Sequence, residues 1–158
     1  MSIFKHRKDT GFSVVEMLVV ITITTMLATF VIIGFSKFNA SQSVNKDAGR
    51  VVSLLGQARS LTLSSKNNSQ YGIHFASGEM VLFKGNSYSE SDDENVSILL
   101  NPHISLAPSL NDGGRDVVFQ KLSGKTNDWG TITLSIRTST STSEKVITIF
   151  NSGVAESN

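Results

Sequence analysis

The hydrophobic pattern of this chain changes character twice. From Phe12 to Phe35 the sequence is continuously apolar apart from scattered Ser, Thr and Gly, and its single charge is Glu16. Those 24 residues would span about 36 Å as a helix, enough to cross roughly 30 Å of bilayer hydrocarbon. The threonines at 22, 24, 25 and 29 fit such a helix because a hydroxyl can donate back to a carbonyl of the preceding turn. Beyond Gly34 the apolar residues thin to a stripe, Val44, Ala48, Val51, Val52, Leu54, Leu55, Ala58 and Leu61, at steps of mostly three and four. No proline interrupts residues 12–65, and Ser64-Ser65-Lys66-Asn67-Asn68 supplies a terminating cluster. The pattern predicts one uninterrupted helix, about 80 Å long, whose second half lays an apolar face on a globular core.

From Gln70 the period becomes two. Tyr71–Phe75 and Met80–Phe83 alternate around the turn Ala76-Ser77-Gly78-Glu79, which predicts a hairpin. Further strands are expected at Val96–Leu100, Ile104–Leu106, Val117–Leu122, Thr131–Ile136 and Val146–Phe150. Asn111-Asp112-Gly113-Gly114 and Ser123-Gly124 mark turns between them, and Thr138–Ser143 reads as the tip of a hairpin. The fold class is therefore α+β, a long N-terminal helix packed on an antiparallel β-sheet head. The boundaries expected are a leader at 1–11, a transmembrane helix at 12–35, its amphipathic continuation at 36–65 and a β-rich head at 66–158.

Charge sharpens the first boundary. The leader holds Lys5, Arg7, Lys8 and Asp9, a net +2 within a chain whose total is +1. Cations ahead of an apolar span keep that end in the cytoplasm and send the remainder across the membrane. A secretory signal peptide fits poorly, since the apolar run is too long and no small-x-small cleavage site follows it. Glu16 is the anomaly. A carboxylate at the centre of a membrane helix costs about 2.5–3.5 kcal/mol on insertion scales, and somewhat less near an end. A plain anchor has no use for it, so a compensating charge outside the chain is implied.

Gly11-Phe12-Ser13-Val14-Val15-Glu16-Met17-Leu18-Val19-Val20 resembles the class III signal of type IV pilins and type II secretion pseudopilins. The resemblance implies cleavage between Gly11 and Phe12 by a prepilin peptidase, N-methylation of Phe12, and a role for Glu16 in filament assembly, facing the terminal amine of a neighbouring subunit. It also implies that the 12–35 helix becomes the filament core. The partners implied are other pilin or pseudopilin subunits, the prepilin peptidase, the inner-membrane assembly platform and membrane lipid. Where many pilins place a helix-bending proline, this chain has Ile33-Gly34, which softens a helix without removing a hydrogen bond. Val117–Gly124, Gly130-Thr131-Ile132-Thr133-Leu134 and Val146–Val154 further resemble the closing strands of GspH/FimT-type minor pilins.

Other chemistry is sparse. The chain lacks cysteine, which excludes disulfides, thiolate metal sites and cysteine nucleophiles. His6, His74 and His103 show no ligand spacing, and no nucleophile elbow or phosphate loop is present. Glu90-Ser91-Asp92-Asp93-Glu94 and Asn111-Asp112-Gly113 are oxygen-rich, yet they lack the spaced ligands of a calcium loop and read as solvated turns. The expectation is no enzyme, no metal and no cofactor. Nucleic acid is the competing partner, because some FimT-like minor pilins bind DNA. From Lys66 onward seven cations face ten carboxylates, and Lys121, Lys125, Arg137 and Lys145 are the candidates for weak DNA contact. The reading is a minor pilin or pseudopilin, single-pass in the cytoplasmic membrane with its N-terminus inside and its head outside, then part of a type IV pilus or type II secretion pseudopilus. The alternative is a DNA-binding minor pilin acting in uptake.

Overall fold

The computed structural model describes residues 11–137 and 142–158, with the backbone alone at 33, 34, 36 and 137. The leader cations and residues 138–141 of the Ser/Thr tip lie outside the described residues. The chain forms two compact units, Met1–Phe35 and Ser36–Asn158.

Helix α1 runs Val14–Leu63. In the first unit none of its described residues is buried, as suits a helix meant for another solvent. Its threonines bond back to the ladder as expected. Thr22 Oγ1 donates to the Leu18 carbonyl at 2.8 Å, Thr24 to Val20 at 2.9 Å and Thr29 to Thr25 at 3.0 Å. Thr25 instead reaches three residues back, to Thr22, at 2.9 Å.

In the second unit the helix buries Ala40, Val44, Ala48, Val51, Leu54, Leu55 and Ala58, with Val52 and Leu61 packed at the margin. The helix stops at the polar cluster, where Ser65, Asn67 and Asn68 take left-handed backbone angles and Lys66–Asn68 form one 3-10 turn. Asn tolerates that region because its short polar side chain can bond locally.

Among the described residues eight strands follow, in two antiparallel sheets. One has the order β3-β2-β1-β5, with β1 Tyr71–Ala76, β2 Glu79–Lys84, β3 Val96–Leu99 and β5 Asp116–Val118. The other has the order β4-β6-β7-β8, with β4 Ile104–Leu110, β6 Gly130–Arg137, β7 Thr142–Ile149 and β8 Ala155–Ser157. The expected hairpin closes as Phe75↔Met80 and Ala76↔Glu79. Inward residues of both sheets, among them Ile73, Phe75, Phe119, Ile132, Leu134 and Ile147, share one core with the helix stripe. Fully burying a side chain of this size contributes about 1.5–3 kcal/mol.

Four strand expectations change, the first being that β7 begins at Thr142, within the segment expected as the hairpin tip, rather than at Val146. Strand β4 continues past Leu106 through Pro108 to Leu110. Proline is tolerated because β4 is an edge strand, bonded only to β6, where a missing N–H breaks no ladder. Strand β5 ends at Val118 rather than Leu122. There Phe119 bridges Thr126, the Gln120 N–H donates to the Lys125 carbonyl at 2.8 Å, and Gly124 donates back to Gln120 at 2.9 Å. The run thus doubles into a tight loop with Leu122 at its tip, 90% exposed and at φ 67°. Strand β8 was not expected at all, since Ala155-Glu156-Ser157 is short and polar and is ordered only by pairing with β7.

Candidate functional site

At the N-terminal end, Gly11, Phe12 and Ser13 precede the helix and are exposed, with Phe12 at 76%. The Met17 N–H donates to the Ser13 carbonyl at 3.1 Å, which opens the helical ladder. Glu16 lies in the first turn, where a carboxylate complements the unpaired backbone N–H groups. Around it Val14, Val15, Met17 and Leu18 are between 56% and 77% exposed. The apolar window of this helix has mean hydropathy 2.5 and none of it is buried. Such a surface needs lipid or other helices to cover it. Glu16 has no cation partner among the described residues.

Among the described residues the head carries no second constellation of that kind. His74 is half-buried on β1, its Nδ1 2.6 Å from Asp116 Oδ1 and its ring stacked on Tyr88 with centroids 4.0 Å apart. Tyr88 also meets Phe83 edge-on at 5.8 Å, so the loop after β2 is pinned over that face of the sheet. Exclusion from water holds the Tyr88 phenol above its ordinary value, with Glu90 adding to the effect. Lys84 bonds Glu94 at 2.7 Å, and that hydrogen bond is the main reason its ammonium is held above the usual range. The acidic loop otherwise satisfies itself, Asp92 Oδ1 accepting from the Glu94 N–H, as Asp112 Oδ1 does from Gly114. Among the described residues no three His, Asp or Glu side chains gather as metal ligands. His103 is exposed, and Trp129 is half-exposed beside the β4–β6 pairing.

The four late cations fall in different places. Lys121 and Lys125 sit on the loop tied to the β7–β8 turn, where Gly124 accepts from Arg59 Nε and Thr126 donates to the Asn151 carbonyl. Lys121 Nζ also donates to Asn68 Oδ1 at 3.2 Å. Arg137 lies at the other end of β6, opposite Thr142 and about 23 Å along the strand from Gly130. Lys145 is half-buried opposite Leu134. The fold thus brings Lys121 near Lys125 but does not gather all four.

Residues that hold the helix to the head went unremarked in the sequence. Asp47 is 3% exposed, and its Oδ2 accepts from the Asn101 N–H at 2.9 Å while Oδ1 meets Arg50 at 3.2 Å. Thr62, fully buried, accepts from the Tyr71 N–H at 2.9 Å and donates to the Ala58 carbonyl at 3.0 Å. The available signal was their position on the apolar stripe, Asp47 beside Ala48 and Thr62 four residues after Ala58.

An unburied apolar helix whose continuation packs on an antiparallel head is the architecture of a pilin-like subunit. Consistent with it, a family model described as the prokaryotic N-terminal methylation motif matches residues 6–32. No curated protein sequence matches the chain. Among solved structures, the crystal structure of the type IV minor pilin FimU of Pseudomonas aeruginosa superposes with a TM-score of 0.52. The match covers 72% of this chain and 91% of that one at 15% identity, so what the two share is the fold. The N-terminal motif and the fold are both like those of type IV pilin subunits. The motif and the apolar helix that follows it fit anchoring in the inner membrane.

Proposed function

We propose that this chain is a minor pilin or pseudopilin, cut between Gly11 and Phe12, N-methylated on Phe12, and assembled through α1 into a type IV pilus or type II secretion pseudopilus. The observation that carries this reading is the helix after Phe12 up to Phe35, apolar on every side, exposed at every described residue, and charged only at Glu16. In the bilayer, lipid covers that surface. In a filament, neighbouring helices cover it instead, and Glu16 gains the terminal amine of an adjacent subunit. An opposite charge in a low-dielectric setting offsets the desolvation of the carboxylate, so the pair favours the assembled state over the free one. Cleavage is what creates the amine, which couples processing to assembly. The platform in the inner membrane and the surrounding lipid are the remaining partners, with the N-terminus cytoplasmic and the head outside.

The competing reading, capture of DNA during uptake, is the weaker one. Its four candidate cations are divided between the 120–126 loop and β6–β7, and the head from Lys66 onward is net −3. Co-expression with a prepilin peptidase, followed by mass spectrometry of the mature terminus, tests the proposal. The mature chain should begin with N-methylated Phe12, and any other first residue refutes the assignment. Glu16→Ala should insert normally yet be lost from sheared filaments or from crosslinked subunit complexes. Normal incorporation would remove the role given to the carboxylate.

A further inference from the structure

Two four-stranded sheets leave four outer edges, and three of them are guarded. Strands β5 and β8 are only three residues long, and β4 carries Pro108. Short edges and proline are common ways of preventing another chain from pairing there. Strand β3 lacks these protections. It pairs with β2 on one side only, and no described strand pairs with its other side, where Arg50 Nη1 donates to the Leu99 carbonyl at 3.2 Å. It presents Val96 at 52% and Leu99 at 70% exposure.

Beside this edge runs a groove between β3 and α1. Its central part, of about 420 Å³, is floored by Leu54 and Ile98 and flanked by Lys46, Arg50 and Gln57. Gln57 is shared with a second stretch of about 260 Å³, where Leu61 and Leu82 form the floor and Lys66 and Lys84 the rim. The rim is unevenly charged. Four cations line it against one carboxylate, Glu94, which is occupied by Lys84. Among the described residues Lys46 and Lys66 pair with no carboxylate.

We propose that this groove binds an extended, acidic segment of a partner polypeptide, added to β3 as a fifth strand of that sheet. A four-residue edge offers about 13 Å of pairing, room for about four residues of an added strand. Main-chain bonds to the outer edge of β3, with Arg50 turning from the Leu99 carbonyl to the incoming strand, hold such a segment in place, and alternate side chains drop toward Leu54 and Ile98. Acidic side chains on the segment meet Lys46 and Lys66, which steers the encounter and excludes basic strands. The proposal is independent of how the leader is processed.

The test uses the full chain in detergent micelles and a fluorescein-labelled eight-residue peptide of alternating valine and glutamate with blocked ends. Anisotropy should show saturable binding, and amide exchange at Val96–Leu99 should slow by roughly tenfold or more in the complex. The double reversal Lys46→Glu, Lys66→Glu should weaken binding by about tenfold with the melting temperature unchanged. Should that variant not fold, the neutral pair Lys46→Gln, Lys66→Gln should weaken it by about threefold. A valine–lysine peptide should not bind, nor should the acidic peptide N-methylated at every second residue. Absence of binding, unchanged exchange at β3, or equal binding of either control peptide overturns the proposal. So does displacement by a 12-nucleotide oligothymidylate that protects the same four residues, which would make the groove a nucleic-acid site.

Discussion

Asp47 is the sharpest place to perturb the junction between helix and head. It is a buried carboxylate on the core face of α1, and its Oδ2 is the acceptor for the Asn101 N–H in the turn between β3 and β4. Asp47→Ala removes a charge-assisted hydrogen bond worth about 1.5–3 kcal/mol and leaves that N–H without its partner. The Arg50 contact adds little, because the arginine side chain is 46% exposed and exposed pairs contribute about 0–1 kcal/mol. Relief of the carboxylate's own desolvation offsets part of the loss, so the net cost is about 2–3 kcal/mol. The unit Ser36–Asn158 has 123 residues. Its entropy of unfolding is about 0.26 kcal/mol/K, which converts the loss to a fall in Tm of about 8–12 °C. Circular dichroism melts of the full chain in micelles measure it, and amide exchange at Asn101 should accelerate in parallel. Asp47→Asn keeps an acceptor oxygen and should recover about half of the loss. A fall of less than about 2 °C for the alanine variant, with Asn101 exchange unchanged, would refute the reasoning.

Thr62→Val should cost about 1–3 kcal/mol by orphaning the Tyr71 N–H, while Thr62→Ser should be close to wild type in a urea melt. Gly72→Ala should destabilise by about 1–3 kcal/mol, because a Cβ there would lie 2.5 Å from Phe83 Cζ and 2.8 Å from the Val117 carbonyl oxygen. Near-ultraviolet circular dichroism should register the displaced ring, and an unchanged spectrum and melt would show that the sheet yields freely. Tyr88 and Lys84 are both held above their ordinary values, so each contributes fully below its unfolded pKa and loses that contribution as pH rises through the folded one. In a Tyr71→Phe background, absorbance titration should find Tyr88 ionising above its ordinary pKa. Ionisation at or below that value would contradict the stacked, water-excluded position on His74.

How much of this protein is legible in its sequence depends on how local the cause is. The apolar run after Phe12, the lone Glu16, the stripe from Val44 to Leu61 and the hairpin around Gly78 each follow from spacing within a few residues. Helix period, strand period and turn chemistry act over that range. The methylation-motif resemblance was equally readable, because its ten residues are contiguous. What tertiary structure decided involves partners distant in the chain. The division of eight strands into two sheets, the pairing of β8, the doubling back at Phe119 and Thr126, and the passage of β4 through Pro108 all depend on which strand lies alongside. Nothing local to Asp47 points to its bond with the Asn101 N–H, 54 residues away. The groove beside β3 likewise joins residues from Lys46 to Ile98 that no local pattern connects. Side-chain periodicity says which face of an element is buried, but only the folded chain determines which backbone edge is left open.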